Sequence, residues 1–325
     1  MPLFNLRYDL RCPPISRADS AELARTAVEQ CEWADRLGFM SVTISEHHGS
    51  PDGYLPSPLV FGAGVAARTK NLRLLLGALI VPLHDPLRLA EDLAVLDVLS
   101  NGRVIPVLAG GYVDAEFRAF GKRLADRARI MDEIVPFLER AWSGEPFEHN
   151  GVTARVMPRP VQRPRPPIFM GGSVPAAARR AARFAEYFIP TLPEQYEFYR
   201  AERIRLGKPD PGPLPRTAGN FLYVAEDPDA AWKRIAPHAL HEMSAYGKWM
   251  SEAGTAGPYA PIDDPDALRA SGQYPIYTPD ELFEIARGMG PMDSLLFHPL
   301  MGGMDPELSW ASLRLFEKAV LPRLR

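Results

Sequence analysis

The sequence predicts an α/β protein folded as one (β/α)8 barrel, the TIM-barrel architecture with insertions. Three observations carry this. Short β-rich apolar runs alternate with amphipathic helices along most of the 325 residues, which implies a parallel sheet covered by helices. The cycle repeats about eight times, and eight units favour closure into a barrel. The chain is 46% hydrophobic with no clear linker, so a single domain over residues 1–325 is expected.

The units follow in order. Phe4–Tyr8 reads as a strand, and Ser20–Leu37 as a helix with Leu23, Ala27, Cys31 and Ala34 on one stripe. Then come Met40–Ser45 with Pro58–Ala67, Leu72–Ala78 with Pro86–Leu99, and Val104–Leu108 with Ala128–Trp142. The cycle resumes with Ile168–Met170 and Ala176–Ala185, then Tyr187–Ile189 and Glu194–Leu206. Phe221–Val224 with Asp229–Met250 and Ser294–Phe297 with Leu308–Leu324 complete it. The 34 prolines are partly helix starts. Ser57-Pro58, Asp85-Pro86, Asp227-Pro228, Thr278-Pro279 and Asp305-Pro306 each set a capping side chain before a residue with no N–H to lose. Glu281 completes a capping box with Thr278.

Three excursions interrupt the cycle. Residues 144–167 suggest a hairpin turning at Asn150-Gly151. Residues 207–217 are Pro-rich, and 251–277 read as a long loop. A candidate lid over 245–277 holds Tyr246, Trp249, Met250, Tyr259, Tyr274 and Tyr277. These side chains suit a fairly apolar substrate or, equally, packing of a long loop.

Composition excludes several classes. A net charge of −3 gives no bias toward nucleic acid or anionic membrane. No run reaches the ~18 apolar residues of a membrane span, and the N-terminus lacks a signal-peptide layout. Cys12 and Cys31 are too few for a disulfide framework and read as reduced, cytoplasmic cysteines.

The chemistry points to the end of the second strand, Ser41–His48. Alternation puts Val42 and Ile44 toward the helices, and Thr43, Ser45 and His47 inward. His47 thus sits just above the C-terminal rim, where barrel active sites lie. Glu46 shares parity with His48 and reads as support. A metal site from His47, His48, His84, His298, Glu46 and Asp85 is a rival, weakened because Asp85 is explained as a cap. Gly62–Ala67 matches G-x-G-x-x-A but lies inside a helix, so it reads as close helix–strand packing rather than a dinucleotide turn. Gly171-Gly172-Ser173 ends a strand before an Ala-rich helix. It is either a phosphate-binding turn or a tight turn with a Ser cap. Arg179, Arg180 and Arg183 read as a solvated face.

Together these pieces resemble the bacterial-luciferase-like flavin-dependent oxidoreductases. The resemblance rests on Leu37-Gly38-Phe39, Glu46-His47-His48, Ala67–Leu74, Gly77–Arg88 and Ala90–Arg103. Gly110-Gly111-Tyr112, Glu116-Phe117 through Phe120-Gly121, Gly171-Gly172-Ser173 and His298–Gly303 also fit. It covers most of residues 1–190 and the last fifty, and is weak over 190–277. It implies a barrel holding reduced FMN, or a reduced deazaflavin (F420), in its mouth. His47 would be the catalytic proton donor or acceptor. Glu46, Gly77, Ala78, Gly110, Gly111, Tyr112, Gly171, Gly172 and Ser173 would surround the cofactor. Gly77-Ala78 falls where relatives often carry a non-proline cis peptide. Some relatives carry arginine at the position of Gly110; here that phosphate contact is absent, or backbone amides replace it.

The resemblance further implies a separate flavin reductase, a homodimer and a small organic substrate. A two-component monooxygenase is the leading reading. The alternatives are deazaflavin-dependent hydride transfer, a non-catalytic flavin-binding barrel and a metal-dependent hydrolase.

Overall fold

The computed structural model describes residues 1–325 apart from positions 220 and 256. The first half follows the expected cycle: β1 (Leu3–Tyr8), α1 (Ser20–Arg36), β2 (Ser41–Ile44), α2 (Pro58–Arg68), β3 (Arg73–Ile80), α3 (Pro86–Ser100) and β4 (Val104–Ala109). A short helix, α4 (Asp114–Ala119), precedes α5 (Arg127–Trp142) and was not anticipated. Next come a hairpin of β5 (Phe147–His149) and β6 (Val152–Ala154), then β7 (Phe169–Gly172), α6 (Pro175–Phe184), β8 (Tyr187–Pro190) and α7 (Gln195–Arg205). The hairpin turns at Asn150 and Gly151, whose φ of 49° and 77° are the left-handed pair such turns require.

The last part runs β9 (Tyr223–Val224), α8 (Pro228–Glu252), α9 (Pro265–Ala270), β10 (Ile276–Tyr277), α10 (Pro279–Arg287), β11 (Ser294–Phe297), α11 (Pro306–Leu315) and α12 (Leu321–Leu324). The segment expected as a long loop is therefore partly ordered. Asp264 accepts from the N–H groups of Asp266 and Ala267 and starts α9 at Pro265. Position 256 of the 245–277 excursion lies outside the described residues. The final helix is not continuous. A π turn over Phe316–Val320 separates α11 from α12, because Pro322 has no N–H to continue the α ladder.

The sheet corrects the closed eight-stranded barrel. Seven parallel strands hydrogen-bond in the order β11-β1-β2-β3-β4-β7-β8. The expected seventh barrel strand, Phe221–Val224, reduces to β9 and pairs instead with β10. Its approach segment touches β11 through one bridge, Thr217 to Ser294. Prolines at 190, 209, 211, 213 and 215 supply no ladder donors along this stretch.

Local chemistry explains the elements. The α1 stripe is fully buried. Asp85, Asp227 and Thr278 cap as expected, and Thr278 with Glu281 forms the capping box. Ser57 and Asp305 make no cap hydrogen bond; Asp305 accepts the Arg17 N–H instead at 3.1 Å. Val42 and Ile44 are wholly buried. A Cβ on Gly62 of α2 would stand 3.4 Å from Leu76, 3.5 Å from Leu96 and 3.7 Å from Ile44. The glycine thus lets α2 lie directly on β2 and β3. None of the helices is long and apolar enough, among the described residues, to cross a membrane.

The two glycines of α2 separate packing from propensity. Gly62→Leu is expected to destabilise by about 1–3 kcal/mol through overpacking. Exposed Gly64, with nothing within 4 Å, is expected to gain about 0.5–1 kcal/mol as alanine. Urea midpoints test both, and equal effects would refute the packing account.

Candidate active site

The sequence-selected residues come together along one arc of the rim, on the neighbouring strands β2, β3, β4 and β7. His47 follows β2. Gly77 and Ala78 lie within β3 and are joined by a cis peptide, beside a register shift between Gly77 and Leu79. Gly110, Gly111 and Tyr112 follow β4, and Gly171, Gly172 and Ser173 close β7. A Cβ on Gly77 would meet Thr43 at 3.2 Å and Val107 at 3.3 Å, so the backbone there is closely flanked by side chains of β2 and β4. Gly111 has φ +68°, and a Cβ would come within 2.7 Å of Ile80; only glycine fits that bend.

Two carboxylates set the histidines. His47 Nδ1 pairs with Glu116 Oε1 at 2.8 Å, and the same oxygen accepts the His48 backbone N–H at 2.8 Å. The carboxylate is an acceptor, which assigns the ring proton to Nδ1. Among the described residues Nε2 makes no hydrogen bond, so it is the nitrogen available for chemistry. Glu116 falls in the Glu116-Phe117 run that carries the family resemblance, which assigns it no role. It lies 69 residues from His47, a contact only the fold creates.

Glu46 is 3% exposed. Its Oε1 accepts from His48 Nε2 at 2.9 Å and His84 Nε2 at 2.8 Å, and its Oε2 from the Ile80 N–H at 2.7 Å. Burial raises its pKa, but the His48, His84 and Ile80 hydrogen bonds outweigh this and bring it down to about 2. With both oxygens engaged, Glu46 braces the rim.

The mouth is lined with rings. Trp249 stacks on His47 at 4.4 Å, while Tyr54, Tyr112 and Tyr246 stand edge-on at 4.9, 5.7 and 6.1 Å. Beneath them Arg11 is fully buried. It donates to Asp9 at 3.2 Å and to Asp52. Its guanidinium lies 4.5, 4.7 and 5.0 Å from the Tyr54, Tyr246 and Trp249 rings. Burial opposes charge on Asp52, yet His241 and Arg11 hold its carboxyl well below the usual range. Sequence reasoning missed this ion network, since its members come from the segments after β1 and β2 and from α8.

The groups of the metal reading do not converge. His47 pairs with Glu116, His48 and His84 pair with Glu46, and Asp85 caps α3. His298 instead lies 3.6 Å from Asp9 and 3.4 Å from Glu242.

The phosphate-type turn holds together. A Cβ on Gly171 would lie 4.0 Å from Ala109 Cβ, so the turns after β4 and β7 adjoin. Ser173 does not cap α6; the cap residue is Val174, with no side-chain hydrogen bond. Arg180 and Arg183 both pair with Asp132; Arg183 is exposed as expected, whereas the Arg180 side chain is only 13% exposed and not part of a solvated face. The side chain absent at Gly110 is replaced in space: a Cβ there would meet Arg127 Cδ at 3.7 Å. Among the described residues no carboxylate pairs with Arg127. These features fit an anionic phosphate beside a flat ring.

Residues 12–288 match the luciferase-like monooxygenase family, and the chain belongs to that family. It is 25% identical, over 91% of its length and 88% of the relative's, to the oxygenase component of the flavin-dependent trigonelline monooxygenase of Acinetobacter baylyi. It is 27% identical, over 90% and 91%, to the F420-dependent glucose-6-phosphate dehydrogenase of Microbacterium testaceum. The monooxygenase RslO1 of Streptomyces bottropensis superposes with a TM-score of 0.79 at 26% identity, covering 99% of this chain and 100% of that one. Two uncharacterized Sinorhizobium fredii proteins align over only 48% and 46% of their own length.

The Glu46 brace predicts an acid-dependent contribution to stability. Its folded pKa is about 2 against an ordinary 4.5. The contribution is therefore complete above pH 4.5 and is lost as pH falls toward 2. Urea unfolding is expected to show Glu46→Gln less stable than wild type by roughly 2–4 kcal/mol at pH 7. The gap should narrow steadily below pH 4.5; a gap independent of pH would refute the assignment.

Proposed function

We propose that this protein is an oxidoreductase, a two-component monooxygenase that uses reduced FMN and oxygen on a small organic substrate. The observation that carries the reading is the arc from His47 through Gly77-Ala78 and Tyr112 to Gly172-Ser173. It sets one free imidazole nitrogen beside a flat backbone floor and ends on a phosphate-type turn.

In this reading Gly77, Ala78 and Tyr112 hold the flavin ring, and Gly172, Ser173 and Arg127 hold its phosphate. The reduced flavin supplies the electrons with which oxygen is activated. The chain supplies the rest. Glu116 fixes the His47 ring, so Nε2 takes or returns a proton at a set position. Trp249, Tyr54 and Tyr246 keep water from that nitrogen. The glycine fingerprint at 62–67 lies inside α2, and we assign reduction of the flavin to a separate reductase. We also propose a homodimer. Val60 on α2 and Val95, Val98 and Leu99 on α3 are exposed by 74, 51, 43 and 51%, an apolar face suited to a second copy.

A second reading, hydride transfer with reduced F420, is favoured by the 27% identity over most of the chain to an F420-dependent dehydrogenase. There His47 would serve as acid or base and oxygen would play no part.

Anaerobic titration with reduced FMN and with reduced F420, followed by air, separates the two. Reduced FMN is expected to bind more tightly, and its reoxidation by air to differ in rate from that of free flavin. Preference for F420 would select the second reading, and binding of neither would sink both. His47→Ala is expected to keep cofactor binding and lose turnover by about 10²–10⁴-fold; full activity would refute its role.

A further inference from the structure

A pocket of about 470 Å³ opens at the rim, roughly the volume of fifteen liquid waters. Three segments form it. Ile15 and Arg17 follow β1, Asp305 and Leu308 follow β11, and Lys233, Arg234, Pro237 and His238 lie on α8. β1 and β11 are neighbours in the sheet, whereas the phosphate-type turn belongs to β7 beside β4. Strands β2 and β3 stand between the two places. The pocket is therefore separate from that turn.

Its charge is unbalanced. Arg17, Lys233 and Arg234 face a single carboxylate, Asp305. Arg17 already engages Asp305, through its N–H at 3.1 Å and its guanidinium at 3.8 Å. Asp229, one turn before Lys233, pairs with Arg269 instead. Among the described residues no carboxylate pairs with Lys233 or Arg234. Because Asp305 turns to Arg17, α11 begins without a side-chain cap. Its first-turn N–H groups add a positive helix end beside these cations. His238 narrows the choice of anion. It is 5% exposed, and its Nδ1 pairs with the Gly302 carbonyl oxygen at 2.9 Å, so the ring proton is on Nδ1. Nε2 has no hydrogen-bond partner among the described residues and is not enclosed. Burial, aided by His241 and Arg17, outweighs the Gly302 hydrogen bond and the Asp305 charge and holds the ring below its ordinary 6.5. Nε2 therefore offers a lone pair to a donor.

We propose that this pocket binds a small phosphate monoester. The ligand must bring negative charge to Lys233 and Arg234 and a proton to His238 Nε2. A phosphate monoester supplies both, since its second proton leaves at about pH 6. A carboxylate has lost its proton well below neutrality. Ile15, Pro237 and Leu308 cover the apolar body of the ligand. The assignment stands whichever cofactor the mouth takes. It reaches the mouth through α8, on which Tyr246 lies about 12 Å beyond His238 and, with Trp249, borders His47. An occupied pocket fastens this helix to the segments after β1 and β11.

The test is calorimetric titration of the protein with phenyl phosphate and with benzenesulfonate, an anion of similar shape that carries no proton near neutrality. Wild type is expected to bind phenyl phosphate roughly tenfold or more tighter. Lys233 and Arg234 are exposed, so the double variant Lys233→Gln/Arg234→Gln should fold, and it should lose roughly tenfold or more in phenyl phosphate affinity. His238→Asn keeps a donor toward Gly302 and removes Nε2; it should lower the preference for phosphate over sulfonate several-fold. Arg127→Gln, at the turn after β7, should leave phenyl phosphate affinity within about twofold. Equal binding of the two probes by wild type, or an unchanged affinity in the double variant, overturns the proposal. An unchanged preference in folded His238→Asn protein overturns the choice of phosphate. Binding lost in Arg127→Gln but kept in the double variant places the probe at the other turn and overturns the site.

Discussion

The hydrogen bonds of two buried carboxylates, Glu46 and Glu116, order the rim on which the rest of the site stands. Glu46 joins the segment after β2 to the last residue of β3 through the Ile80 N–H and to the turn before α3 through His84. Glu116 reaches from α4 to His47 and to the backbone of His48. Neighbouring residues 46, 47 and 48 are thus held from three directions. A charge-assisted hydrogen bond stiffens more than a neutral one. The partners here are also shielded from water, so little competes with them. An imidazole on a free strand end would sample several rotamers; this one has its tautomer and its orientation set together.

The ring layer depends on that frame. Trp249 stacks on His47, and Arg11 lies beneath three of the same rings. The guanidinium is neutralised below by Asp9 and Asp52. A cation thereby supports an otherwise apolar mouth without exposing its charge to solvent. This is the usual condition for a buried ion to be tolerated: partners on several sides, with its donors directed at carboxylates.

Much of this was legible in the sequence because it follows from local periodicity. A period of two placed Val42 and Ile44 against helices and turned His47 inward. Capping residues before proline set most helix starts within a residue or two. Glycine and small residues marked Gly62 as a packing contact and Gly171-Gly172 as a strand-end turn. What was not legible is tertiary. Glu116 meets His47 only because α4 folds over the rim, and Arg127 fills the space beside Gly110 only because α5 begins there. Asp264-Pro265 carried a helix start of the same kind as Asp85-Pro86, but its Gly- and Pro-rich surroundings masked it. The seventh strand was misjudged because apolar residues 221–224 have strand character and yet pair with β10 outside the main sheet. Hydrophobicity sets whether a segment is buried, not which edge it joins.

The incomplete ring of strands has a consequence for how such a chain changes over time. Among the described residues, the pairings run unbroken from β11 through β1 to β8, and the stretch that would complete the circle is the proline-rich one. His47, Gly77, Gly110 and Gly172 all lie on the continuous side. Inserted or deleted residues in the proline-rich stretch 207–215, ahead of the Thr217–Ser294 bridge, break no ladder hydrogen bonds of the main sheet; each doubling of a flexible loop there costs only about 0.6 kcal/mol in closure entropy. The same architecture can therefore be refitted to new molecules at its open side while the opposite side keeps its register.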